Sequence, residues 1–151
     1  MKITSPAFKH NENIPAQYTC DGENVNPPLN FIEVPEETKS LVLLMDDPDV
    51  PKSIRPDGMW DHWVVFNIPA DTLGIDEDTS PPGIVGRNTR DTNEYGGPCP
   101  PDREHRYFFK FYALDTDFDF DASPTKAEVE SAMEGHIIEK AELIGLYERQ
   151  K

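Results

Sequence analysis

Short apolar runs alternate with clusters of proline and polar residues along the chain. The runs are rich in β-branched and aromatic side chains, and proline marks the loops between them because it lacks a backbone N–H and restricts the preceding residue. The spacing predicts strands at 29–32, 40–46, 61–68, 83–90 and 105–115. Strands do not alternate with helices, so the pattern favours an all-β sandwich or barrel over a parallel α/β fold.

The segment 105–115 carries aromatic side chains on both faces of the predicted strand. His105, Tyr107 and Phe109 share one face, and Phe108 lies on the other. A strand that is aromatic on both faces is expected at the centre of the sheet, where both faces are covered.

One helix is predicted near the C-terminus. Ser123 is its expected N-cap and Pro124 its first helical residue. The apolar stripe of this helix runs through Val129, Met133, Ile137 and Ala141. The tail from Ala141 to Arg149 could extend the helix, but its alternating pattern favours a final strand.

The length and charge limit the functions that the chain can have. It has 151 residues, with 29 acidic and 14 basic side chains and a net charge of −15. The length suits one domain, and no repeat, linker or composition break divides residues 1–151. The charge repels nucleic acid and anionic lipid, so nucleic-acid binding and stable membrane anchoring are not expected. Solubility, or a cytoplasm rich in salt, explains the acidity most simply.

The expected location is the cytoplasm, because the N-terminus lacks a signal-peptide pattern and no apolar run is long enough to span a bilayer. Cys20 and Cys99 are too few for a disulfide framework, and cytosolic thiols are normally reduced. Free thiols are therefore expected, with a disulfide between the two as the alternative.

Four side chains that suit binding or catalysis lie at the ends of predicted strands. Asp47 and Asp49 belong to an acidic turn directly after the most apolar strand, and their mutual repulsion favours a protonated or cation-paired carboxyl. His62 begins the next strand, and His105 begins the aromatic one. A solvated turn and structural core histidines are the alternatives.

The loop Tyr95–Pro101 combines two glycines with three prolines. Glycine permits unusual backbone angles and proline freezes them, so such a loop can hold amide groups rigidly toward an anion. From Gly97 to Pro101 only Gly97 and Cys99 have an amide N–H to offer. A rigid structural turn is the alternative. Prolines are dense around these segments, and we expect one cis bond among them, at Val50–Pro51.

These segments together resemble the phosphatidylethanolamine-binding protein family. The resemblance rests on Asp47-Pro48-Asp49-Val50-Pro51, Trp60-Asp61-His62-Trp63, Gly97-Pro98-Cys99-Pro100-Pro101 and His105-Arg106-Tyr107. Thr19-Cys20-Asp21-Gly22 and Asn26-Pro27-Pro28-Leu29 are similar to the bacterial and archaeal YbhB/YbcL branch, described as Raf-kinase-inhibitor-like. Order and spacing agree over residues 3–149. Two features depart from the family: Arg103 stands where many relatives have glycine, and the predicted final strand replaces the C-terminal helix of animal members.

The resemblance implies a β-sandwich with a large central antiparallel sheet and a pocket for phosphate-like or carboxylate anions, including phospholipid head groups. The family's pocket would fall on Asp47, Asp49, His62, Gly97, Pro98, His105 and Tyr107. It also implies a binding protein rather than an enzyme, without a cofactor, that modulates a kinase or protease; a homodimer is possible.

The residues suggest how an anion would bind, and they leave other functions open. A carboxylate beside His62 or His105 stabilises an imidazolium, which would leave a neutral-to-positive recess in an acidic surface. One alternative is a hydrolase with Cys99 as nucleophile, His105 or His62 as base and Asp47 or Asp49 as orienting acid. The others are a metal protein with two histidines and one carboxylate, and a protein-facing inhibitor with a vestigial pocket.

Overall fold

The computed structural model describes residues 1–150, and within this range the chain forms two β-sheets that share a core, and one α-helix. The elements are β1 (Lys2–Thr4), β2 (Glu12–Asn13), a 3-10 turn (Ala16–Tyr18), β3 (Leu29–Ile32), β4 (Ser40–Asp47), β5 (Trp60–Pro69), β6 (Gly74–Ile75), β7 (Ile84–Val85), β8 (His105–Leu114), α1 (Lys126–Met133) and β9 (Ile137–Tyr147). The larger sheet has the order β2-β9-β8-β4-β5-β7, antiparallel except for the β2–β9 pair, and the smaller one the order β1-β3-β6. The predicted sandwich with a large antiparallel sheet is confirmed.

Strand β4 is buried along its whole length and separates two apolar layers. Leu43 and Met45 belong to the core shared with the smaller sheet, where Phe31 stacks on Phe111 with ring centroids 4.2 Å apart. The second layer lies under the helix and includes Val42, Leu44, Val129 and Met133. Successive residues of a strand point to opposite faces, so the unbroken apolar run of β4 serves both layers.

The predicted strands agree with the structure except at 83–90. There only Ile84–Val85 forms a strand, at the edge of the larger sheet, and Arg87 makes an isolated bridge to Thr125. Beyond it the chain wraps around Asn88, whose side chain accepts hydrogen bonds from the amides of Arg90 and Thr92 and donates one to the carbonyl of Glu94. These local bonds satisfy the backbone in place of a sheet ladder.

The predicted helix start and stripe need correction. The N-cap is Thr125 rather than Ser123, because the Thr125 hydroxyl accepts the Glu128 amide and the Glu128 carboxylate accepts the Thr125 amide. The helix ends at Met133, and Gly135 turns the chain with a φ of 79°. Ile137 therefore pairs with Leu114 in the sheet. The favoured final strand is confirmed and is longer than expected.

The end of β4 sends its two carboxylates to opposite faces. Asp46 is fully buried on the helix side, where Lys110 and Lys126 donate to it at 2.8 and 2.9 Å. Lys126 also lies 2.9 Å from Asp61. This ion cluster pairs Asp46 with two lysines through one of its oxygens, and leaves Asp47 for the other face.

The expected cis bond at Val50–Pro51 is wrong, since no peptide bond within residues 1–150 is cis. A trans turn suffices there because the Val50 amide donates to Gly58 and the Ile54 amide donates to Pro51. The structure contains, over the same range, no helix long and apolar enough to cross a membrane.

Candidate functional site

A cavity of about 230 Å³ opens where β4 ends and β5 and β8 begin. Both strands are antiparallel neighbours of β4, so their first residues lie beside its last. Five of the seven predicted site residues line the cavity: Asp47, His62, Gly97, His105 and Tyr107. The sheet therefore brings together side chains spread over 61 positions of sequence.

His105 is held between two carboxylates. Its Nδ1 lies 2.6 Å from Asp47 Oδ2 and its Nε2 lies 2.7 Å from Asp102 Oδ1. The ring is fully buried, whereas the Asp102 side chain is 42% exposed. Ionised carboxylates only accept hydrogen bonds, so with both of them ionised each ring nitrogen donates a proton.

The two carboxylates that hold His105, those of Asp47 and Asp102, lie in different environments. Burial raises the pKa of Asp47, against the lowering effect of its hydrogen bond with His105. The other oxygen of Asp47 accepts the Asp49 amide at 2.7 Å. The hydrogen bond with His105 lowers the pKa of Asp102. Asp102 does not line the cavity itself; it follows Pro101, which does.

His62 has a different role in the wall from His105. Its Nδ1 lies 2.6 Å from the Gly96 carbonyl, which can only accept, so Nδ1 carries a proton. Burial lowers the pKa of His62 to about 4, so the ring is neutral at pH 7 and its Nε2 is an acceptor. No carboxylate within residues 1–150 contacts this ring to offset its desolvation, so of the two candidate histidines only His105 has the expected carboxylate partner.

The Tyr107 ring lies between the two histidines, with centroid distances of 5.3 Å to His62 and 6.4 Å to His105. Its hydroxyl is enclosed and has no hydrogen-bond partner within residues 1–150. Burial and the nearby charge of Asp47 raise its pKa well above the usual range, so it stays protonated. An unpaired buried donor costs roughly 1–3 kcal/mol, and this hydroxyl is closed off from solvent.

Asp49 and Pro98 do not line the cavity. The Asp49 carboxylate accepts from the backbone amide and the guanidinium of Arg106 at 2.8–2.9 Å, and this pairing lowers the pKa of Asp49. The Pro98 carbonyl accepts the Cys20 amide at 3.0 Å. These two predicted site residues support the walls from outside.

The Gly97 amide, which was expected to face an anion, is already hydrogen-bonded within the protein. It donates to Asn24 Oδ1 at 2.9 Å. A Cβ at this position would collide with the Tyr18 carbonyl and the Asn24 side chain, so only glycine fits. Gly97 thus allows the loop to pack tightly instead of supplying an anion donor.

Cys20 and Cys99 form a disulfide in the cavity wall, so the expectation of free thiols is wrong. Their Cα atoms are 5.4 Å apart, within the range that a disulfide bridges without backbone movement. The bond joins loops separated by 79 positions, a proximity that local sequence does not reveal. A disulfide sulfur is not a thiolate, so the proposed Cys99 nucleophile is not present in this state.

Sequence reasoning missed three charged residues of the site, Asp61, Arg90 and Asp102. Arg90 lines the cavity and its guanidinium makes no ion pair with any residue in 1–150. Asp102 holds His105 from three positions upstream, and the Arg103 guanidinium lies 3.9 Å from its carboxylate. The spacing of Asp102 and His105 in a proline-rich loop was the available signal; Arg90 gave none.

Apolar side chains also line the cavity: Val50, Ile54, Trp60, Pro100 and Pro101. Ile54 is 50% exposed. No group of three or more His, Cys, Asp or Glu residues within residues 1–150 is arranged to hold a metal ion. The lining of the cavity therefore combines buried polar groups with apolar side chains, which is typical of a site for a small organic ligand.

Comparisons with known proteins cover nearly the whole chain. A sequence profile described as phosphatidylethanolamine-binding protein matches residues 4–148. A UPF0098 protein of Methanothermobacter thermautotrophicus is 47% identical over 155 residues, 99% of each chain. The crystal structure of a putative phosphatidylethanolamine-binding protein homologue from Chlamydia trachomatis superposes with a TM-score of 0.96 at 45% identity, covering 99% of this chain and 97% of that one. The Escherichia coli protein YbcL, described as a member of the mammalian family, superposes with a TM-score of 0.87 at 33% identity and coverages of 99% and 98%.

Proposed function

Because the chain belongs to the phosphatidylethanolamine-binding protein family, we propose that it is a non-enzymatic binding protein whose cavity takes a small phosphate-like or carboxylate anion. One observation carries the proposal: a carboxylate of the protein itself, that of Asp102, already occupies the second nitrogen of the buried His105 ring. The ring lines the cavity, so an external anion of similar chemistry can compete for the same N–H.

An anion that replaces Asp102 would meet a charge-assisted donor from His105, the unpaired guanidinium of Arg90 and the apolar side chains of the lining. Hydrogen bonds to charged groups contribute about 1.5–3 kcal/mol each. The overall charge of −15 opposes the approach of an anion, and Asp102 must first be displaced. We therefore expect binding in the micromolar to millimolar range.

The arrangement favours binding over catalysis. Cys99 has no thiol to attack a substrate, and both nitrogens of His105 are engaged by carboxylates rather than free to move a proton. A kinase or protease as the protein partner, a phospholipid head group as the ligand, a homodimer and a cytoplasmic location stay proposals.

Calorimetric titration with acetate and with inorganic phosphate tests the proposal. His105→Ala should weaken binding by about 1.5–3 kcal/mol, because a charged donor is lost. His136→Ala is the matched control: His136 also bonds to an aspartate, Asp115 at 2.8 Å, but lies outside the cavity. Thermal unfolding of each variant verifies that it folds. Wild-type protein that binds neither anion, or affinity that ignores His105→Ala, would refute the proposal, and turnover of generic ester substrates would favour the enzyme instead.

A further inference from the structure

His62 presents a hydrogen-bond acceptor to a cavity that otherwise suits an anion. The Gly96 carbonyl fixes the proton on Nδ1, which leaves the lone pair on Nε2. Nε2 makes no hydrogen bond within residues 1–150. It is not among the buried side-chain atoms that lack a partner in that range, so it is not sealed from solvent. Because the ring lines the cavity, this nitrogen is accessible from it.

The surroundings keep the ring neutral. The charged or titratable groups near it are Asp46 and Asp47 on β4, Asp61 on its own strand, His105 and Tyr107 on β8, and Arg90 on a loop that lines the cavity. Desolvation is the largest influence on the pKa of His62, and the positive charges of Arg90 and His105 act in the same direction, while Asp46 opposes them. Asp46 is itself neutralised by two lysines.

An oxyanion without a proton would place an oxygen lone pair against the lone pair of Nε2. An oxyanion that still carries one proton can donate that O–H to His62 while its charged oxygens accept from His105 and Arg90. A buried acceptor left unpaired penalises the wrong ligand strongly, which is how a polar site rejects an analogue that lacks one hydrogen.

We propose that His62 makes the cavity selective for a singly protonated phosphate group, such as a phosphate monoester monoanion, over an aprotic anion of the same shape and charge. This inference rests on the proposed function, because it assigns the ligand class of the same site. The relevant chemistry is the P–OH group beside P–O⁻, whatever molecule carries it.

Methyl phosphate and methyl sulfate test the inference. Below the second phosphate pKa of about 6, both are monoanions of nearly the same size, and only methyl phosphate has an O–H. Calorimetric titration at pH 5.5 should show methyl phosphate binding at least tenfold more tightly. Between pH 5.5 and 8 the ratio of the two affinities should fall, because methyl phosphate loses its proton; methyl sulfate does not titrate and reports any change in the protein.

His62→Phe keeps an aromatic ring and removes the acceptor, so it should bring the affinity ratio close to one. His136→Phe is the matched control and should preserve the ratio, because that histidine is exposed and outside the cavity. If His62→Phe does not fold, the ¹⁵N spectrum of the wild-type ring decides: Nε2 should be unprotonated at pH 5.5 and its signal should shift on adding methyl phosphate, but not methyl sulfate.

The possible failures are distinguishable. Equal affinity for the two probes, or a ratio that survives His62→Phe, overturns the selectivity and leaves the anion site standing. No binding of either probe, of phosphate or of acetate overturns both proposals. A protonated Nε2 at pH 5.5 also overturns the selectivity, because the ring would then donate to any anion.

Discussion

Removal of the Cys20–Cys99 disulfide should destabilise the protein strongly, mainly through the unfolded state. The bond closes a loop between positions 79 apart. The chain-entropy relation for a loop of that length gives a stabilisation of about 4.5 kcal/mol at 25 °C. Domains are commonly stable by only about 5–15 kcal/mol, so this one bond is a large share of the total.

Guanidinium unfolding of the wild type and of Cys20→Ala, Cys99→Ala and the double variant measures the effect. Each single variant should lose as much stability as the double one, about 4–5 kcal/mol, because losing either sulfur removes the whole crosslink. The denaturant dependence should steepen, since the unfolded chain without the bond exposes more surface. The melting temperature should fall by about 10–15 °C.

Treatment of the wild type with dithiothreitol supplies an independent comparison, because it breaks the bond and changes no residue. Reduced wild type should unfold at the same denaturant concentration as the double variant. A loss below about 1 kcal/mol, or single variants whose losses add up to that of the double, would show that the crosslink does not constrain the unfolded chain as argued.

Three further predictions concern other charged groups. Asp102→Ala should tighten phosphate binding by up to about fivefold in calorimetry, because the competing carboxylate is gone. The control Asp115→Ala should leave phosphate binding unchanged. Weaker binding by Asp102→Ala would mean that the Asp102 carboxylate supports the site instead. Lys126→Met should lower the free energy of unfolding by about 3–5 kcal/mol, because Asp46 loses a buried partner. A loss under 1 kcal/mol in urea titration would contradict this prediction. The pKa of His62 is about 4 in the folded state against 6.5 in the unfolded state, so the unfolded state binds the proton more tightly. The free energy of unfolding should therefore rise by about 3 kcal/mol from pH 4 to pH 6.5. His62→Phe should lack this rise, and an unchanged pH profile in that variant would exclude the contribution.

The strands and the final β-strand could be predicted because their signals are local. Alternation and apolar runs report which residues face a core, whatever covers them. The helix start was predicted two residues too early, because Ser123-Pro124 fits a cap and a first helical residue, whereas the reciprocal bonds between Thr125 and Glu128 place the cap at Thr125. The predicted apolar stripe of the helix extended to Ile137, which lies in the following strand, because apolar residues of a strand can fall at helical spacing by chance.

The acidic turn shows what local sequence patterns do not predict, namely where the carboxylates of Asp47 and Asp49 lie. Asp47 and Asp49 are two positions apart and would share a face of a continued strand. The strand ends at Asp47, whose carboxylate accepts the Asp49 amide and turns the chain, so that Asp49 meets Arg106 outside the cavity. Whether a strand continues depends on its neighbours in the sheet, which the turn itself does not encode.

The sequence alone determined the fold class and the family resemblance, and five of the seven residues that it predicted for the site line the cavity, since strand patterns are local and the motifs carry the order of the family. Only the tertiary structure decided what each group can do. It pairs Cys20 with Cys99, places Asp102 on His105 and fixes the proton of His62 on Nδ1 through the Gly96 carbonyl. Protonation, thiol state and hydrogen-bond direction depend on partners distant in sequence and on burial, and these exist only once the chain has folded.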